Sequence, residues 1–333
     1  MYRDQQNQDP EYHFSREVSE RFQTEHTELV FDKNVIREIP GIIHNYDEPF
    51  CIPNALAHHQ LCRETRKSVT VALAGDGADE IFAGYDVYKQ LNRIDQLSFF
   101  NPWCNCRLLP VRPKGVSSRM LLGLCLLATP RPFRRGFLKQ ATFDSRFKEL
   151  FSKNLSLKIG DIYVGELLDR FYLDANPRQF LDGVLYVDLL INYAWSTTIA
   201  TDISGMANSL EVRSPFLDHK VVEFAFSLTD TMKLGLDNQE KKILYSAAKG
   251  LLPESVIERK KMSYGAGIPY KEFFFHDWLP YVKEVVFDDK IKNIDLFDLS
   301  HVANLLERKE SSHDQFKALW KLFCCCVWLH SNV

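Results

Sequence analysis

The chain has 333 residues, 45% of them hydrophobic and 26% charged, which is the composition of a globular protein with one large domain or two modest ones. Its 41 basic and 44 acidic residues give a net charge of −3, so no global charge favours nucleic acid as a partner. No N-terminal apolar segment resembles a signal peptide, and the longest apolar run, 120–128, is about half of what a membrane-spanning helix needs. We therefore predict a cytoplasmic protein without a membrane partner.

The first part of the chain alternates predicted helices and strands. The hydrophobic pattern predicts the end of a helix over 15–22, a short strand over 28–31 and a helix over 35–43. Another helix over 54–67 leads into a strand over 69–74. This order is typical of a parallel, doubly wound sheet, in which ligands bind beyond the carboxyl ends of the strands.

An acidic loop with glycines follows the last of these strands. Residues 75–84 read Gly-Asp-Gly-Ala-Asp-Glu-Ile-Phe-Ala-Gly. Its carboxylates would repel a phosphate, so a cation must mediate if a phosphate binds there. Asp76, Asp79 and Glu80 carry oxygen ligands that Mg²⁺ accepts, and the glycines let the backbone approach a ligand. The residues alone leave open a plain strand-to-helix turn in which Asp79 caps the helix.

A basic segment comes next. Residues 107–139 contain eight Lys or Arg residues and no acid. We predict a solvated helical insert, and a docking surface for an anionic partner or a membrane face is the alternative.

The rest of the chain is predicted to be helical. Apolar residues recur at helical spacing from about residue 145 onward, as at Phe180, Val184, Val187 and Ile191, and at Val221, Phe224 and Ala225. Lys241 lies just inside a predicted helix that runs to about Lys249, where a cation opposes the helix dipole. An exposed, solvated lysine is the alternative at this position.

The eight cysteines do not have the spacing of a zinc site. Cys104 and Cys106 offer two ligands, which do not complete a site. We expect buried or free thiols and no structural metal.

Several motifs resemble those of one family. Residues 74–85 resemble the Ser-Gly-(Asp/Glu)-Gly-x-Asp-Glu-x-Phe-x-Gly-Tyr signature of glutamine-hydrolysing asparagine synthetases. Further matches follow the family's order at 24–28, 47–50, 206–218 (with Glu-Val-Arg-Ser-Pro-Phe-Leu-Asp), 241–244 and 251–254. The resemblance spans about residues 10–330 and identifies the chain as similar to the C-terminal synthetase domain.

The resemblance implies a fold and a reaction. The fold is an α/β parallel, doubly wound sheet of the ATP-pyrophosphatase type, truncated at its start, followed by a largely helical region. The implied reaction uses ATP and Mg²⁺: aspartate attacks the α-phosphate, pyrophosphate leaves, and ammonia displaces AMP from β-aspartyl-AMP. On this basis we divide the chain into a disordered end (1–10), a partial nucleotide-binding region (11–100), a variable basic helical insert (101–147) and a helical part (148–333).

The resemblance also implies roles for particular residues. It assigns Lys241 to the reacting phosphate and the tetrahedral acyl intermediate, and Asp76 to electrostatic or proton-relay work at the acyl centre. Asp79 and Glu80 are expected to bind the metal, with Asp79 as the principal ligand. The expected ATP contacts are Ala74, Gly75 and Gly77. The expected buried structural network comprises Glu211, Arg213 and Asp218.

The chain departs from the family pattern in ways that predict an incomplete enzyme. It has neither the cysteine that follows the initiator methionine in the glutaminase domain nor a Ser-Gly-Gly-x-Asp-Ser pyrophosphate loop. Ammonia from glutamine would then come from a domain absent here, and the chain alone is expected to be inactive. Ala74 replaces a serine, Tyr245 replaces an arginine, and Ser263-Tyr264 stands where Gly-Phe is common.

Three functional hypotheses remain open from the sequence. The first is aspartate amidation; the others are a non-catalytic remnant that binds a partner, and an ATP-dependent amidotransferase for another carboxylate. Val69, Val71 and Leu73 are expected to lack a neighbour and to promote association with a complementing chain or a homo-oligomer.

Overall fold

The structure is a computed structural model in which helices predominate. The described residues are 2–3, 12–99, 119–142, 145–159, 165–237, 239–259, 261–262, 265, 267–308 and 312–332. Helices α1 to α7 span Tyr12–Phe22, Ile39–Asn45, Asn54–Arg66, Ala78–Ile81, Asp86–Phe99, Arg119–Ala128 and Arg134–Thr142. Helices α8 to α14 span Ser145–Glu149, Lys153–Ile159, Glu166–Ala175, Phe180–Val187, Ile199–Ala207, His219–Ser227 and Asp230–Leu234. Helices α15 to α21 span Lys242–Ala248, Glu254–Glu258, Tyr270–Phe275, Leu279–Val286, Asp289–Ile294, Leu299–Leu306 and His313–Asn332.

The strands are short and pair in parallel. They are β1 (Tyr2–Arg3), β2 (Leu29–Val30), β3 (Val71–Leu73) and β4 (Glu211–Arg213). Strand β1 pairs with β2, and β3 pairs with β4 in the register Val71 to Glu211. The parallel pairing confirms an α/β fold with a helical region. Within the described residues each sheet has two strands, so the doubly wound sheet of the ATP-pyrophosphatase type stays a prediction.

The predicted elements before the acidic loop largely match the structure. The helix predicted over 54–67 is α3, and the strand predicted over 69–74 is the shorter β3. The helix predicted over 35–43 is instead a 3₁₀-helix, Lys33–Glu38, that continues into α2. Pro40 in the first turn of α2 explains the change, because its fixed φ suits a helix start and it has no N–H to donate.

The structure differs from the predictions at the start of the chain and within the region predicted to be helical. Tyr2 and Arg3 pair with β2, so the prediction of a disordered end over 1–10 is wrong for these two residues, whose backbone groups find partners. Residues 4–11 lie outside the described residues. Strand β4 lies in the region predicted to be helical, and a π-helical segment, Asp188–Thr198, joins α11 to α12.

The buried residues form three hydrophobic clusters. The largest is built on α2, α18 and α21 and includes Trp278 and Phe323, both almost fully buried. The second joins α5, α10 and α11. The smallest holds the acidic loop, with Ile81 and Phe82 against Ala225 and Leu228 of the α13 region. The acidic loop is therefore fixed by packing on its apolar side, which leaves its polar side for a site.

Three arginines of the basic insert pair with acids that lie outside the insert. Arg131 and Arg134 both bind the Asp95 carboxylate, and Arg135 binds Asp188. Arg134 is 2% exposed, so the prediction of a solvated insert is wrong for this residue. A buried arginine must find acceptors, and Asp95 provides them. Residues 107–118 lie outside the described residues.

The six cysteines that the structure describes are free thiols, as expected, and they include buried Cys62, Cys324 and Cys326. Cys104 and Cys106 are outside the described residues. Across the described ranges, no helix is both long and apolar enough to cross a membrane.

Candidate functional site

The acidic loop leaves β3 through a tight turn. The Ala74 N–H donates to the Arg213 carbonyl at 2.8 Å, so the β3–β4 pairing extends to the loop. Gly77 has φ +91°, and a Cβ there would overlap the Leu217 side chain, so this position requires glycine. At Gly75 a Cβ would meet open space. The turn thus delivers Asp79 in the first turn of α4, beyond the carboxyl end of β3.

Two lysines bind the Asp79 carboxylate. The Lys241 Nζ is 2.9 Å from Oδ1, and the Lys261 Nζ is 2.7 Å from Oδ2. Burial of Asp79 raises the pKa of its carboxyl, and the ammonium groups of Lys241 and Lys261 outweigh burial, so the pKa lies below its ordinary value. We call these three side chains the Asp79 centre. Its carboxylate is ionised at neutral pH.

Lys241 is held in an unusual backbone conformation. It is the residue before α15 and has φ +48°, whereas the prediction placed it just inside the helix. A non-glycine residue in the left-handed region costs on the order of 1 kcal/mol, and such positions cluster at functional sites. The Lys241 ammonium also lies 5.7 Å from the centre of the Tyr245 ring. The side chain is only 14% exposed, so the predicted alternative of a solvated lysine is wrong.

Lys261 was missed by the sequence prediction. It follows α16 and reaches Asp79 across 182 sequence positions, with its ammonium 5.9 Å from the centre of the Tyr85 ring. The signal that could have found it is the Lys260-Lys261 pair shortly before Gly265, a basic pair in a loop with glycines. Ser263-Tyr264 lies outside the described residues.

Glu80 is buried and bonded to a side chain outside the Asp79 centre. It is 2% exposed and accepts a 2.5 Å hydrogen bond from the Tyr85 hydroxyl. Burial raises the pKa of Glu80 to about 7, although the Tyr85 hydrogen bond lowers it. A carboxyl that is half protonated at neutral pH is a poor partner for a cation. Its expected role as a metal ligand stays a prediction.

Asp76 lies at a cavity of about 600 Å³ at the carboxyl ends of β3 and β4. Thr198, Thr201 and Asp202 line the same cavity from the start of α12. Burial raises the pKa of Asp76, and the Thr201 hydroxyl opposes the rise. The described residues lining the cavity do not include Asp79 or the two lysines, so the candidate site has an Asp76 cavity and an Asp79 centre.

The expected buried network is wrong. Arg213 donates to Glu211 at 2.7 Å, but their side chains are 63% and 55% exposed. Both residues lie on β4, where they point away from the packed side. Asp218 is also exposed and caps α13 by accepting from the Lys220 N–H at 2.9 Å.

The side chains of the candidate site fit Mg²⁺ only together with a phosphate ligand. The described residues contain no group of three or more His, Cys, Asp or Glu side chains that could hold a metal by themselves. Mg²⁺ is commonly held by one or two carboxylates together with substrate phosphates. Asp79 supplies one ionised carboxylate of this kind, so the residues fit a metal that arrives with a phosphate ligand.

Comparison with known proteins agrees with the motifs. The chain matches the sequence profile described as asparagine synthase over residues 2–330. It is 24% identical over 312 residues to the glutamine-hydrolyzing asparagine synthetase 1 of Bacillus subtilis (strain 168), covering 92% of this chain and 48% of that protein.

Other proteins of a similar description also match. The glutamine-hydrolyzing asparagine synthetase 3 of Bacillus subtilis (strain 168) is 29% identical over 273 residues, which is 78% of this chain and 36% of that protein. A putative glutamine-hydrolyzing asparagine synthetase of Mycobacterium tuberculosis (strain ATCC 25618 / H37Rv) is 25% identical over 306 residues, 88% of this chain and 44% of that protein. The chain spans about half the length, or less, of these curated relatives.

Proposed function

This chain belongs to the asparagine synthase family, and we propose that it catalyses the ATP-dependent amidation of aspartate to asparagine. The observation that carries the proposal is the Asp79–Lys241 ion pair, which joins residues 162 positions apart in the sequence. The motifs assign these two residues to the metal and to the reacting phosphate. A metal ligand and a lysine can act on the same phosphate only if the two side chains lie close together, as these two do.

The proposed reaction has two steps. An aspartate side-chain oxygen forms a bond to the α-phosphorus of ATP as the bond to pyrophosphate breaks, giving β-aspartyl-AMP. Ammonia then forms the C–N bond, and AMP leaves with the electron pair of the C–O bond. Each step develops negative charge on oxygen, and the little-exposed Lys241 ammonium is suited to stabilise that charge.

The loop before α4 is the proposed nucleotide contact. Open space beyond Gly75 and the left-handed turn at Gly77 support close approach of a ligand to the backbone. Ala74 offers only its backbone there. Asp79 would hold Mg²⁺ together with phosphate oxygens, and the ion would supply charge neutralisation. Glu80 is proposed as a second ligand, although its hydrogen bond to Tyr85 would have to open.

Asp76 is the proposed acid–base residue at the acyl centre. Ammonia must lose one proton when it forms an amide, and a carboxylate with a raised pKa is a better proton acceptor than an ordinary one. Its place at the cavity leaves room for the acceptor substrate beside the nucleotide loop.

The ammonia source and the partners are also proposals. The matched relatives are described as glutamine-hydrolyzing, and we propose that a glutaminase supplies ammonia to this chain. Val71 and Leu73 are 40% and 74% exposed, which supports association with a complementing chain or a second copy. The free thiols support the proposed cytoplasmic location, because thiols stay reduced there.

The experiment incubates the purified chain with L-aspartate, ammonium chloride and MgATP, and measures asparagine and AMP by mass spectrometry. Under this proposal the chain is active despite its departures from the family pattern, so we expect asparagine and AMP in equal amounts, with formation dependent on aspartate; the expectation of an inactive chain would then be wrong. ADP in place of AMP, or no nucleotide turnover together with no ATP binding, would contradict the proposal.

A further inference from the structure

The Asp76 cavity carries an excess of negative charge. Asp76, Asp202 and Asp218 line it with three carboxylates, and Arg213 brings the one guanidinium among its described lining residues. One positive charge against three negative charges leaves the lining with a formal charge of −2. Arg213 also donates to the Glu211 carboxylate at 2.7 Å, so a further acid already balances its charge. A cavity with an excess of carboxylates attracts a cation.

A buried hydroxyl without a partner lines the same cavity. Thr201 belongs to α12 and is only 8% exposed. Its Oγ1 atom has no hydrogen-bond partner among the described residues. The hydroxyl is close enough to Asp76 to oppose the rise in the pKa of that carboxyl, but it does not reach hydrogen-bonding geometry. Because buried polar groups normally have a partner, this hydroxyl is free to accept a hydrogen bond from a ligand.

The size and the apolar wall of the cavity select the kind of cation. The cavity measures about 600 Å³, whereas an ion of the size of water or ammonium occupies only about 30 Å³. Within the described residues no three acids are arranged to hold a metal ion, so the carboxylates do not converge on one point. Apolar side chains complete the lining: Leu73, Ile199, Val212, Pro215 and Leu217. The cavity therefore suits an organic cation with an apolar part.

We propose that the Asp76 cavity binds a protonated primary amine, with its ammonium group among the carboxylates and the Thr201 hydroxyl and its alkyl part against the apolar wall. An ammonium group is a three-fold donor, and its hydrogen bonds to carboxylates are charge-assisted. Among the described residues that line the cavity, the acids and hydroxyls supply the acceptors that such a group needs.

The chemical consequence rests on the proposed function, because the amine would take the place of ammonia as the nucleophile. The ammonium group gives one proton to the Asp76 carboxylate, and the nitrogen lone pair forms the C–N bond to the acyl carbon. AMP leaves with the electron pair of the C–O bond. The nitrogen then loses its second proton to water, and the product is an N-substituted amide.

The test measures the binding of n-butylammonium chloride to the full chain by ligand-observed NMR titration, without nucleotide. Butanol has the same alkyl chain without the charge, and we expect it to bind about tenfold more weakly. Asp76→Asn/Asp202→Asn removes two carboxylates from the cavity and should weaken butylammonium binding about tenfold. Asp174→Asn/Asp289→Asn removes two exposed carboxylates that do not line the cavity and is the charge-matched control, with no change expected.

A second pair of variants tests the hydroxyl. Thr201→Val keeps the shape of the side chain without the hydroxyl and should weaken butylammonium binding about threefold or more. Thr201→Ser keeps the hydroxyl and should stay within about twofold of the unmodified chain. Since the hydroxyl has no partner, Thr201→Val should unfold in urea no earlier than the unmodified chain.

Equal affinities for butylammonium and butanol would overturn the proposal, as would an equal loss in the cavity variant and its charge-matched control. If the cavity variant does not fold, the comparison of Thr201→Val with Thr201→Ser decides, and equal affinities of these two would overturn the proposal. The measurement needs neither nucleotide nor turnover, so missing asparagine formation from ammonium would contradict the proposed function alone.

Discussion

The Asp95 and Asp79 carboxylates are each shared by two cations, and the kind of cation separates a structural centre from a chemical one. At Asp95 the cations are arginines: Arg131 binds both carboxylate oxygens at 2.6 and 2.8 Å, and Arg134 binds one at 2.8 Å. At Asp79 they are Lys241 and Lys261, which each bind one oxygen.

The arginine centre is locked by further hydrogen bonds. The Arg134 Nε also donates to the carbonyls of Leu126 and Thr129, so its planar group ties α6 and α7 to α5. A lysine has no such fixed fork, and its contact with a carboxylate can be exchanged for another anion. The comparison teaches that a carboxylate with two cations is not by itself a site; a site also needs cations that are not locked by a fixed hydrogen-bond geometry.

The largest effect is expected from removing an arginine that binds Asp95. Arg134→Met removes the buried partner of Asp95 and leaves the half-exposed Arg131, and we expect a loss of about 3 kcal/mol in the free energy of unfolding. Urea unfolding measures it. Arg131→Met is the matched control and should cost about 1 kcal/mol or less, because its side chain is 52% exposed. Equal losses for the two variants would contradict the structural account of Asp95.

The next largest effect is expected from removing a lysine of the Asp79 centre. Lys241→Met should reduce the rate of asparagine formation about a hundredfold, because an electrostatic stabiliser of the reacting phosphate is lost. Its neighbour Lys242 pairs instead with Asp237 and is 41% exposed, so Lys242→Met is the control and should keep nearly full activity. Steady-state kinetics would show the difference. Equal activity of the two variants would show that Lys241 has no role in the reaction.

The pH dependence sharpens the comparison. The pKa of Asp79 is lowered in the folded state, so its ionised form stabilises the fold above its unfolded pKa of about 3.9. That stabilisation is lost as the pH falls through the folded pKa. The stability difference between the unmodified chain and Asp79→Asn should therefore be constant from pH 7 to 5 and shrink below about pH 4. Asp174→Asn, at an exposed position, is the matched control variant.

A constant difference down to pH 2 would contradict the lowered pKa of Asp79. Unfolding in urea at a series of pH values makes the comparison directly.

The smallest effect concerns the exposed pair on β4. Glu211→Gln should change the free energy of unfolding by less than about 0.5 kcal/mol, because both partners are more than half exposed. A loss above about 2 kcal/mol would restore the buried network predicted from the sequence.

The sequence predicted elements that lie within a clear apolar pattern better than elements that do not. The helix of α3 and the strand of β3 have clear apolar patterns, and both were found near their predicted positions. Strand β4 has three residues, Glu-Val-Arg, which is too short for an alternating pattern to be recognised. The burial of Arg134 was also missed, because a charge run gives no sign of the acids that fold against it.

The candidate site was predictable only in part. The motifs identified Asp79 and Lys241, and the structure brings them together. Lys261 could not be assigned from its local sequence, because its role depends on a contact across 182 positions. The metal role of Glu80 remains a prediction. Whether this carboxyl is ionised depends on its burial and on its hydrogen bond from Tyr85, and neither can be read from the residue type.

The most direct test of the account follows the oxygen atoms of aspartate. The chain is given MgATP, ammonium and aspartate with ¹⁸O in both side-chain carboxylate oxygens, and AMP and asparagine are examined by mass spectrometry. The account predicts one ¹⁸O atom in the phosphate of AMP and one in the amide carbonyl of asparagine. AMP without the label, or the label in inorganic phosphate, would contradict it.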